Sequence, residues 1–124
     1  MLKHKSSSAI VAVKDMARAR EFYRDILGLP VSDDSMPDTA MSFRTGDTEL
    51  VVYRSKFAGT NKANAVVWGV GNEIETITQS LKAKGVMFEH YDDMERDGDI
   101  HTAGKMKMVW FKDPDGNILH LNNM

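Results

Sequence analysis

The chain has no cysteine among its 124 residues. That excludes a disulfide framework, a thiolate metal site and a cysteine nucleophile together. Charge of one sign is scarce as well: 16 Lys and Arg stand against 18 Asp and Glu, a formal net charge of −2. A nucleic-acid footprint needs clustered Lys and Arg, so no nucleic-acid partner is expected. No apolar run approaches the roughly 20 residues of a membrane span. The start, "MLKHKSSSAIVAV", is basic, but its apolar run is too short for a signal peptide and lacks a clear cleavage site. No membrane partner is therefore expected, and a cytoplasmic location is the default. What remains is an ordinary globular composition, long enough for one domain with a real core or for two small fused modules.

Hydrophobic periodicity divides the chain. "AIVAV" (Ala9–Val13) is a short buried strand. Asp15 is a good N-cap, and Met16, Ala19, Phe22, Tyr23, Ile26 and Leu27 follow at helical spacing until Gly28. "VSDDSMPDTA" is polar and reads as a loop; "MSFRTGDTELVVYR" reads as two strands around Gly46 and Asp47. The pattern then returns. "AVVWGV" is a strand, Asn72 with Glu75 makes a capping box, Ile74, Ile77 and Leu81 form an apolar stripe, and Gly85 stops the helix. "VMFEHY" reads as a strand, "DDMERDGD" as an acidic loop, "KMKMVWF" and "ILHLN" as strands around the turn "KDPDGN". A shift of 57 residues carries Val13 onto Val70, Asp15 onto Asn72 and Gly28 onto Gly85, so the repeat is one of structural punctuation.

"VKDMARAREFYRDILGL" near the start and "VWFKDPDGNILHL" near the end together resemble the glyoxalase/bleomycin-resistance/extradiol-dioxygenase group, the vicinal oxygen chelate superfamily. The resemblance spans nearly the whole chain. It implies an α+β fold: two βαβββ modules with curled mixed sheets around a pocket and helices outside. Residues 1–124 would form a single domain, with module one at about 7–55 and module two at about 63–124. A homodimer is also implied.

In metal-using members of that group, each module supplies one ligand from its first strand and one from its last. Carried over, those positions fall on Ser8 and Leu50 in the first module and on Ala65 and His120 in the second. Leu50 and Ala65 cannot ligate, and Ser8 is a poor neutral ligand. Glu49 and Asn64 stand one residue away, but a one-residue slip turns every side chain to the other sheet face. The expectation is therefore no metal and no other cofactor, with Glu49 and His120 the fallback ligands should a divalent metal bind. A calcium loop starting at Asp93 fails too: Glu95 and Asp97 fit, but the twelfth position, which needs a bidentate Glu, is Gly104.

The alternation of the strands suggests what lines the pocket instead. Met106, Met108 and Trp110 share one strand face, and Ile118, His120 and Asn122 another. Ser8, Ile10 and Ala12, then Leu50 and Val52, then Ala65, Val67 and Gly69 are expected to complete an apolar wall. His101 is placed at the pocket mouth, with His90, Tyr53 and Tyr91 as rim contacts, while His4 has no assigned role. Asp15, Asn72, Asp113, Pro114, Asp115 and Gly116 are assigned local structural work in caps and a turn. Such a wall suits a small apolar or aromatic organic ligand, with the methionines adapting and Trp110 stacking. The function expected is metal-free binding of that ligand. The alternative implied by the resemblance is a divalent-metal-dependent lyase, isomerase or dioxygenase of the glyoxalase type. A metal-free enzyme would use His120 as general base, with Ser8 or Asn122 holding an oxyanion.

Overall fold

Strand β1 (Ala9–Val13) buries Val11 and Val13 and leaves Ile10 60% exposed on the opposite face. This is the period of two that a one-sided sheet requires. In the computed structural model, which describes all 124 residues, two compact units follow one another, Met1–Asn61 and Lys62–Met124.

In the first unit β1 leads into helix α1 (Met16–Arg20), which widens into a π-helical turn, Glu21–Ile26. Asp15 caps it as expected, its carboxylate accepting the Arg18 N–H at 3.1 Å. Three strands complete a βαβββ unit: β2 (Val31–Met36), β3 (Ala40–Thr45) and β4 (Thr48–Arg54). The sheet order is β1-β4-β3-β2, with β1 parallel to β4 and the other pairs antiparallel. Met16, Ala19, Phe22 and Tyr23 on the helix and Val11, Val13, Met41, Phe43, Leu50 and Val52 on the sheet form the core. Tyr23 meets Phe43 with ring centroids 5.8 Å apart. Each such large apolar side chain contributes about 1.5–3 kcal/mol by leaving water.

The expected loop "VSDDSMPDTA" is corrected here, since its first six residues are β2. The strand lies at the sheet edge, exposed, and pairs with β3 through a register broken twice. An edge strand is held by backbone hydrogen bonds and needs no apolar face, so its polar sequence hid it.

In the second unit β5 (Asn64–Gly69) passes through a short 3-10 turn, Gly71–Glu73, into α2 (Ile74–Ala83). No side chain caps this helix, so the expected Asn72–Glu75 capping box is absent. The 3-10 turn has moved the helix start beyond Asn72, and Glu75 pairs instead with Lys107. Gly28 and Gly85 do end their helices, at φ of 76° and 92° that other residues rarely adopt. The remaining strands are β6 (Glu95–Asp97), β7 (Ile100–Ala103), β8 (Met106–Lys112) and β9 (Ile118–Asn122), in sheet order β5-β9-β8-β7-β6. The acidic stretch read as loop thus contributes strand β6, one more than the repeat predicts.

The expected strand "VMFEHY" is also corrected. Residues 86–91 form a strap tied to β8 by a single bridge, Phe88 to Phe111, and by the Glu89 N–H to the Trp110 carbonyl at 2.8 Å. β7 pairs with Met106 and Met108 of β8, and the strap takes up the Trp110–Phe111 stretch beyond it. The "KDPDGN" turn is as read. Asp113, buried, accepts the N–H groups of Asp115 and Asn117 at 3.0 and 2.8 Å and the Asn117 amide at 2.8 Å.

Candidate functional site

Strand pairing sorts the expected wall residues by face. In the first unit Leu50 pairs with Ala9 and Phe43, and Val52 with Val11 and Met41. Leu50 and Val52 are therefore in the core beneath α1, fully buried. They do not share a face with Ile10 and Ala12, whose partners are Val51 and Tyr53. This corrects the expected wall. Glu49, half-buried opposite Arg44, lies on the Val51 face. Ser8 is exposed, one residue before β1.

The second unit brings its expected residues together. Trp110 pairs with His120 and His120 with Val67; Met108 pairs with His101 and Asn122, and Asn122 with Gly69. Partners across a sheet share a face, so these residues, with Met106 and Ile118, lie on the sheet face opposite α2, with His101 and Asn122 buried in it. Val67 is 58% exposed there, and Met106, Met108, Trp110 and His120 are half-buried. The neighbouring residues Val109, Phe111, Leu119 and Leu121 point the other way into the core.

Four rings meet on this face. Trp110 and His120 stack, with centroids 4.7 Å apart and planes 19° from parallel. Tyr91 from the strap and His101 from β7 meet Trp110 edge-on at 5.1 and 5.2 Å. His101 is 0% exposed, which corrects its placement at a pocket mouth. Its Nε2 accepts the Tyr91 N–H at 2.9 Å, so the ring is neutral with its proton on Nδ1. That buried Nδ1 has no hydrogen-bond partner. Burial above all, then the nearby His90 and Arg96, lowers the His101 pKa below its ordinary 6.5. His90 borders the cluster, its ring centroid 6.2 Å from that of His101, and is bonded to Asp99 at 2.8 Å, while Lys82 holds the other Asp99 oxygen at 3.1 Å.

A chain of hydrogen bonds sets the state of His120. The Met124 N–H donates to Asn122 Oδ1 at 3.1 Å, which orients the amide with Nδ2 toward His120 Nε2 at 3.4 Å. His120 Nδ1 lies 3.1 Å from the Val109 carbonyl, which can only accept. The ring is therefore neutral, protonated on Nδ1, with its Nε2 lone pair facing the Asn122 amide. Burial lowers its pKa below 6.5, against the opposing effect of the Val109 carbonyl. Gly69 is part of this arrangement: a Cβ there would stand 2.9 Å from the Met124 carbonyl oxygen, which the Gly71 N–H binds.

The donor set does not fit a divalent-metal cage. No three His, Asp or Glu side chains cluster anywhere in the chain. On the His120 face the other imidazole, His101, is buried with its Nε2 already bonded. Ala65 has no donor atom. A separate, open depression of about 350 Å³ at the start of α1 is lined by Lys14, Asp15, Met16, Ala17, Asp38 and Arg54. It shares no residue with the ring cluster, and its mixed charges point to no ligand class. Tyr91, expected at the rim, instead packs against Trp110 and His101, because the strap bends away from regular pairing. The Asn122–Met124 bond was hidden because it joins backbone to side chain.

Known proteins share this fold. A crystal structure of lactoylglutathione lyase from Agrobacterium tumefaciens is similar, with a TM-score of 0.72 at 16% identity over 96% of this chain and 92% of that one. The fosfomycin resistance protein FosX from Listeria monocytogenes has a TM-score of 0.76 at 17% identity, over 99% and 93%. An integron cassette protein from the mobile metagenome of the Halifax Harbour sewage outfall has a TM-score of 0.70 at 20% identity, over 98% and 99%. These likenesses establish the fold. The family model described as the glyoxalase/bleomycin resistance protein/dioxygenase superfamily matches residues 5–121. With that match spanning almost all of its length, the chain belongs to the glyoxalase/bleomycin resistance protein/dioxygenase superfamily.

Proposed function

We propose that this protein binds a small apolar or aromatic organic molecule, without a metal ion, on the sheet face that carries Trp110 and His120. The observation that carries this is the Trp110–His120 stack, flanked by half-buried Met106 and Met108 and by exposed Val67. Aromatic rings offer a flat surface and thioethers an adaptable one, a combination suited to planar apolar ligands. Of the cations on this face, Lys112 is paired with Glu89 at 3.2 Å and Arg96, opposite His101, bonds the Gly98 carbonyl at 2.8 Å, so neither lies beside the Trp110–His120 stack unpartnered. A glyoxalase-type reaction through a metal is disfavoured because His120 lacks companions to complete a ligand set. Any chemistry on this face would fall to His120 Nε2 as a general base. A homodimer, implied by the family, belongs to the same reading; sedimentation at two concentrations tests it independently.

The test is a titration of naphthalene into protein carrying 13C-labelled methionine methyls. Met106 and Met108 should shift while Met36 and Met87, exposed on other parts of the chain, stay still. Shifts confined to Met36 and Met87, or none at all, would refute the reading.

A further inference from the structure

His120 Nε2 and Asn122 Nδ2 form an acceptor and a donor side by side on one strand face. Both are locked. The Val109 carbonyl fixes the proton on Nδ1 of His120, and the Met124 N–H fixes the amide of Asn122. Their mutual contact, 3.4 Å, is at the far limit of a hydrogen bond, whereas a hydroxyl settles at about 2.8 Å from its partner. An O–H group placed beside the pair would donate to Nε2 and accept from Nδ2, replacing one long contact with two of ordinary length. An ether supplies no proton for Nε2. A carboxylate supplies none either, and would meet the Nε2 lone pair; the cation on the β6 side of the face, Arg96 opposite His101, bonds the Gly98 carbonyl at 2.8 Å.

We infer that the ligand is an uncharged aromatic molecule bearing a hydroxyl group, read by His120 Nε2 as acceptor and Asn122 Nδ2 as donor. The inference rests on the binding reading above and narrows it from any apolar molecule to one class. Trp110 and the methionines hold the ring, and the locked pair selects the substituent.

The experiment titrates the labelled protein with 2-naphthol, 2-methoxynaphthalene, naphthalene and 2-naphthoate at pH 7.5, reading Kd from Met106 and Met108. A net hydrogen bond corresponds to a preference on the order of three- to tenfold for the naphthol over the ether. The naphthoate should bind weakest. In His120→Phe, which keeps a ring against Trp110 but no acceptor, the naphthol-to-ether preference should vanish. The 15N resonance of His120 Nε2 should also move on naphthol binding, a readout that stands even if the variant does not fold. Equal affinity for naphthol and ether in the wild type would overturn this inference and leave the binding reading intact. Tightest binding by the naphthoate would overturn it as well. Failure of all four compounds to bind would overturn both.

Discussion

His101 and His120 occupy one sheet face in different surroundings. His120 is half-buried, while His101 is fully buried against Tyr91 and Trp110. Both pKa values lie below 6.5, so the folded state prefers neutral rings. As pH falls below 6.5 the unfolded chain takes up these protons first. Stability is therefore greatest above that pH and is lost progressively down to the lowered folded values. Asp99, lowered by its bond to His90 and then by Lys82, contributes stability above its ordinary 3.8 that is lost only in more acid solution. Urea unfolding at pH 7.5 and 5.5 should show lower stability at 5.5, with a smaller drop in His101→Gln; an unchanged drop would remove His101 from the explanation. His101→Phe should cost about 1–3 kcal/mol at pH 7.5, because it leaves the half-buried Tyr91 N–H without its acceptor.

At the scale of elements, three positions carry loads that propensity alone would not assign. Asp113 anchors the turn between β8 and β9 with three accepted hydrogen bonds, and Asp113→Ala should destabilise by about 3 kcal/mol in urea unfolding. Thr78 on α2 is buried with its hydroxyl unpartnered. Thr78→Val should raise stability by about 1 kcal/mol, since the new methyl group needs no partner. Gly69 admits no side chain because backbone, not a movable side-chain tip, blocks it. Gly69→Ala should displace Met124, loosen the Asn122 amide and reduce the preference for a hydroxyl-bearing ligand. The helix boundaries were legible in Asp15, Gly28 and Gly85, whose roles are local. The edge strands β2 and β6 were not, because their polar side chains carry no trace of the backbone pairing that makes them strands.

Over the whole molecule, the four histidines are dispersed in their duties: His4 is exposed near the start, His90 pairs with Asp99, His101 is sealed, and His120 faces the candidate site. None joins two others in a ligand set. Elemental analysis of protein purified without chelator should find no stoichiometric divalent metal, and EDTA should leave naphthalene binding unchanged. One tightly held ion per chain would sink the metal-free reading and make Glu49 and His120 the first residues to mutate. No helix is long and apolar enough to cross a membrane.

What the sequence determined by itself was the repeated plan, the Asp15 helix cap and the glycine helix stops, and the grouping of Met106, Met108, Trp110, His120 and Asn122. These follow from periods of two and 3.6 residues and from the conformational limits of single residues, which act within a few positions of the chain. Only the tertiary structure decided that Leu50 and Val52 lie in the core, that His101 is sealed, and that Met124 sets the Asn122 amide. Each depends on which strand pairs with which and in what register, and one step of register exchanges the two faces of a sheet.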